Sequence, residues 1–70
     1  MEYSMQELQE AKRQVKSILH KLRETVKTLE SKENPARYKS QLTLANRRIE
    51  ALSIANDLIV RELERQSERK

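Results

Sequence analysis

The sequence predicts an all-α protein in which two long antiparallel helices form a helical hairpin, and two such hairpins pair into a dimeric four-helix bundle. Three observations lead there. The chain contains no glycine and one proline, while Leu, Ala, Glu, Lys, Arg and Gln, the residues that lose least on entering a helix, dominate. Apolar residues recur at steps of three and four along both halves. The one lapse of that pattern sits mid-chain, beside the proline.

Helix one is expected over residues 5–31. Ser4-Met5-Gln6-Glu7 has the Ser-x-x-Glu form of a capping box, in which each side chain satisfies a backbone N–H at the helix start. Leu8, Ala11, Val15, Ile18, Leu22, Thr25 and Leu29 then occupy heptad positions a and d. Position e adds Met5, Leu19 and Val26, with Lys12 as its polar exception, so the stripe is three positions wide and suits a bundle helix. Thr25 is expected as a small core residue with its hydroxyl bonded back to its own helix.

The turn is expected at residues 32–34 and helix two over 35–67. Asn34 is a favourable N-cap and Pro35 suits a first helical turn. So short a connection between long helices makes them antiparallel neighbours. Tyr38, Leu42, Ala45, Ile49, Leu52, Asn56, Ile59 and Leu63 form a seam to face helix one. A second series, Leu44, Arg48, Ala51, Ala55, Leu58 and Glu62, lies about 110° around the same helix. A lone hairpin covers one seam per helix and leaves the second wet, so this series is the expected dimer interface. Beyond it, charge alternates in sign, with pairs Asp57–Arg61, Glu62–Arg65 and Glu64–Arg61, and Gln66 to Lys70 are expected to fray.

Composition excludes several functions. Cysteine is absent and His20 is the single histidine, so thiolate and multi-histidine metal sites are ruled out. His20 falls at an f position opposite the stripe, where a solvated surface role is expected. No glycine loop and no nucleophile with a plausible base is present, so no catalytic, cofactor-binding or metal residues, no cofactor and no small-molecule substrate are expected. The longest apolar run is Leu58-Ile59-Val60, too short for a bilayer span, and the N-terminus lacks a signal-peptide layout. A cytoplasmic protein without membrane contact is the expectation.

Two polar features stand out. Asn56 at an a position is either a buried residue that fixes register or a half-exposed amide at an irregular contact. The net charge is +4, from 15 basic and 11 acidic side chains. Two acid-free stretches, residues 11–23 and 36–48, overlap when the chain folds back, so that Lys12, Arg13, Lys16, Arg23, Arg47 and Arg48 form a candidate band for nucleic-acid phosphates. Against that alternative, two tyrosines and no other aromatics leave little for base stacking. The leading expectation is a non-enzymatic interaction or regulatory module acting as a homodimer, with docking of the free seam onto a different partner protein ranked second. In layout the chain resembles small helical-hairpin regulators, a likeness of architecture that carries no residues across.

Overall fold

The computed structural model describes residues 2–68. It consists of α1 (Met5–Glu30), a 3-10 turn (Pro35–Tyr38) and α2 (Lys39–Glu68), with α1 packed along α2; among the described residues there is no strand. The hairpin is a rod of 54 × 16 × 15 Å. About 45 Å of that length is the rise of α2, and the 3-10 turn adds about 8 Å.

The start of α1 follows its sequence signal. Glu7 N–H donates to Ser4 Oγ at 3.1 Å, and Ser4 N–H donates to Glu7 Oε1 at 3.0 Å. At the other end Ser31 keeps right-handed backbone (φ −84°, ψ −5°). Its N–H donates to Lys27 O at 3.1 Å, and its hydroxyl donates to Thr28 O at 2.9 Å. No described residue has positive φ. The helix therefore closes without the left-handed residue that glycine usually supplies.

The turn lies at the expected residues, with Asn34 at the N-cap position and Pro35 directly after it. Asn34 makes no side-chain capping bond; its backbone carbonyl accepts the Arg37 N–H at 3.1 Å instead. The residue before a proline is barred from the α region, and Asn34 sits at φ −132°, ψ 75°. The chain consequently makes one tight 3-10 turn over Pro35–Tyr38, and α2 begins at Lys39 rather than at residue 35. The C-terminal end differs as well. Gln66 to Glu68 are helical rather than frayed, and the Gln66 amide donates to Tyr3 O at 2.9 Å, tying the two ends of the hairpin together. Arg69 and Lys70 lie outside the described residues.

The seam on α2 is the expected one: Ala45 is buried, and Tyr38, Leu42, Ile49, Leu52, Asn56, Ile59 and Leu63 are half-buried. On α1 the stripe has turned. Leu8 and Leu19 are buried and Ala11, Lys12, Val15, Leu22, Val26 and Leu29 are half-buried, whereas Met5, Ile18 and Thr25 are exposed. Beyond the first turns, positions a and e face α2, and d lies to one side at Ile18 and Thr25. The physical reason is area. Position e offers Leu19 and Val26, where d offers Ile18 and a threonine whose hydroxyl already donates to Lys21 O at 3.0 Å. The larger apolar payload wins, and Lys12 is carried into the seam with it.

Truncation should separate the two positions. Leu19→Ala removes a side chain that is 5% exposed and is expected to lower stability by about 2–5 kcal/mol. Thr25→Ala is expected to change it by less than about 0.5 kcal/mol, because a solvated hydroxyl bonded to its own helix contributes little. Urea unfolding of both variants checks the pair; equal losses would return the seam to positions a and d.

Candidate functional site

Helix geometry decides which residues share a side of the rod. At about 100° per residue, Ala11, Ile18 and Thr25 flank the seam on one side of α1. In an antiparallel pair the corresponding side of α2 carries Arg48, Ala55 and Glu62, with Leu44, Ala51 and Leu58 just beyond. A shallow groove near the chain ends, lined by Tyr3, Leu8, Leu58, Ile59, Glu62 and Arg65, opens on this side. All six residues of the expected interface therefore lie on one broad face.

Register places the two helices rung by rung. The bond between Gln66 and Tyr3 aligns the helix ends, and equal rise along both helices sets Ala11 level with Leu58, Ile18 with Ala51, and Thr25 with Leu44. Each rung pairs one large side chain with one small one, and the large one alternates between helices. These large residues are solvated: Ile18 is 45% exposed, Leu44 49% and Leu58 58%. Ala55 and Glu62 are half-buried, while Arg48 and Ala51 are exposed. Ile54, 56% exposed, extends the apolar strip toward the back of α2.

Sequence reasoning had Ile18 in the wrong place and passed over Ile54. Ile18 and Leu19 are adjacent apolar residues at d and e, and periodicity alone cannot say which turns inward. Ile54 belongs to neither apolar series of α2, so no repeat marked it.

The basic candidates do not converge. Lys12 is half-buried in the seam. Arg13 pairs with Glu10 one turn away. Lys16 and Arg23 lie on the broad face opposite the apolar one, Arg47 lies on the back of α2, and Arg48 lies on the apolar face itself. Arg13, Lys16 and Arg23 thus share one outer side of α1, and the other three lie apart from it.

Other polar contacts are local. Arg65 donates to both Glu62 oxygens, at 2.9 and 2.5 Å, which raises the guanidinium pKa above its ordinary value. The Gln14 amide, at 2.7 Å, and Arg13 hold the Glu10 carboxyl below its ordinary value. The Glu10 contribution is therefore present above the ordinary carboxylate pKa and fades as pH falls through the lowered one. His20 is exposed. Among the described residues no cluster of His, Cys, Asp and Glu could hold a metal ion, and no helix is long and apolar enough to cross a membrane.

Asn56 is the exception within the seam. The residue is half-buried, yet its Oδ1 is shut away from solvent without a hydrogen-bond donor. By register the half-buried Lys12 of α1 is nearly level with it. An orphaned carbonyl oxygen of this kind costs about 1–3 kcal/mol, so the residue is not there for stability.

Compared with family profiles, curated proteins and solved structures, the chain finds no match.

Replacing the amide should reveal what it does. Asn56→Leu is expected to raise stability by about 1–3 kcal/mol, since it removes an unsatisfied acceptor and adds apolar burial. It should also broaden the distribution of oligomers, as loss of a polar seam residue relaxes register. Thermal unfolding with sedimentation velocity reads both; lower stability with unchanged assembly would mean that the amide is satisfied in the assembled protein.

Proposed function

We propose that this chain is a non-enzymatic interaction module that works as a homodimer of hairpins, its core completed by association. The observation that carries the reading is the broad face on which Ile18, Leu44 and Leu58 stand solvated beside a seam only one side chain deep. The chain exposes 5891 Å², against about 4,600 Å² for an average folded monomer of its mass. The broad face measures 54 by 16 Å, so two copies laid face to face would bury on the order of 1,700 Å², the size of a standard stable interface.

The separation of Lys12, Arg47 and Arg48 from the side of α1 that carries Arg13, Lys16 and Arg23 supports this reading over the nucleic-acid alternative, in which both helices lend cations to one track. A module of this type presents its remaining charged faces to a partner protein, and regulation follows from which face the dimer leaves free.

Sedimentation equilibrium at micromolar concentration tests the proposal. The parent chain is expected at twice its 8.3 kDa mass, Leu58→Glu as a monomer with reduced helicity, and His20→Glu as an unchanged dimer. A Leu58→Glu protein that stays dimeric and folded would contradict the assignment of this face. Steeply salt-dependent binding to duplex RNA, lost in Lys16→Glu combined with Arg47→Glu, would restore the alternative.

A further inference from the structure

The apolar face carries a charge pattern that selects one way for a second copy to lie on it. The same register that levels Ile18 with Ala51 also levels Lys21 with Arg48 and Glu7 with Glu62. All four belong to the side of the rod that carries Leu58, at heptad positions adjoining the apolar strip. One end of the face, toward the turn, is thus a cationic rung; the other, about 20 Å away toward the chain termini, is a rung of two acids, of which Glu62 is already bonded by Arg65. Between them lie Ala11, Ile18, Ala51, Ala55 and Leu58. Lys21 and Arg48 have no carboxylate within ion-pair distance among the described residues, and neither has an acidic neighbour one turn away on the apolar side.

We propose that the second copy lies end over end, with the two-fold axis crossing the rod near Ala55 of α2 and Gln14 of α1, so that each copy's cationic rung meets its partner's anionic rung. This rests on the homodimer reading and adds the orientation. An isologous contact requires a patch to match itself after a half-turn, and only an axis perpendicular to the rod sends cations to acids. An axis along the rod would keep both turns at one end. It would then set Arg48 opposite Lys21 of the partner and Glu62 opposite the partner's Glu7, like against like at both ends. Small residues agree with the perpendicular axis: Ala55 lies at it and Ala51 one turn away, so the centre of the contact is where backbones can approach most closely. Glu7 and Glu62 keep their present bonds, since a carboxylate accepts several donors at once.

The absence of cysteine makes a direct test simple. Ser31→Cys puts one spin label at the exposed turn of each copy. Electron–electron dipolar spectroscopy on the full-length dimer is expected to give a separation of about 45–55 Å, twice the axial distance from the two-fold axis to the turn. A separation of about 20 Å or less, the spacing of adjacent helices plus labels, would place both turns at one end and overturn the orientation. A monomeric mass for the labelled and the parent chain alike would overturn the homodimer reading itself, and the orientation with it.

Charge reversal supplies an independent arm. Arg48→Glu is expected to weaken self-association by about fivefold or more, and Arg48→Glu combined with Glu62→Arg to recover most of that loss relative to Glu62→Arg alone. If Arg48→Glu strengthens association instead, like charges face each other in the parent dimer and the end-over-end arrangement is wrong. Circular dichroism at matched concentration separates either result from loss of helix.

Discussion

Everything in this molecule depends on how little two helices can bury against each other. One seam joins α1 to α2, and it is narrow enough that only Leu8, Leu19 and Ala45 fall below a tenth exposure, at 6%, 5% and 6%. A cavity-free core of several layers is out of reach for two rods side by side, whatever their sequence. The remaining apolar side chains must either stay wet or find a second layer. That constraint explains why α2 carries two apolar series, and why α1 carries a stripe wider than its partner seam can cover.

The polar residues read differently in this light. The capping box, the tie between Gln66 and Tyr3, and the pairs Arg13–Glu10, Lys27–Glu24 and Arg65–Glu62 are local devices that stiffen one helix or fasten two ends. Exposed pairs of this kind contribute a few tenths of a kcal/mol each, roughly, and cannot substitute for a core. Asn56 and Lys12 act in the opposite sense. Both place polar groups in the seam, and the Asn56 Oδ1 has no hydrogen-bond partner there.

Much of the architecture was legible in the residues. The helical composition, the Ser4–Glu7 cap and the break at Pro35 place two helices and a turn, because each rests on a local backbone preference. The seam of α2 was equally clear, since its apolar residues step without ambiguity. The rotation of α1 was not legible: choosing Leu19 over Ile18 depends on what faces the helix, which is a tertiary fact. The turn was placed correctly but its cap was not, as Asn34, held out of the α region by its proline neighbour, makes no side-chain capping bond. The six residues Leu44, Arg48, Ala51, Ala55, Leu58 and Glu62 were found by period alone. Their neighbours Ile18, Lys21 and Glu7 on the same side of the rod became visible only when register set the helices level, because a shared face is a property of two helices together.

We propose that folding and association are one step, the second hairpin supplying the layer that the first lacks. Thermal unfolding followed by circular dichroism over a concentration series measures that coupling directly. If the hairpin folds only as it pairs, the midpoint rises with concentration, by about 10 °C for a hundredfold increase in a chain of this length. A midpoint independent of concentration, with full helicity retained at the lowest, would mean that the single hairpin is stable alone and that its exposed apolar face has no part in holding the fold together.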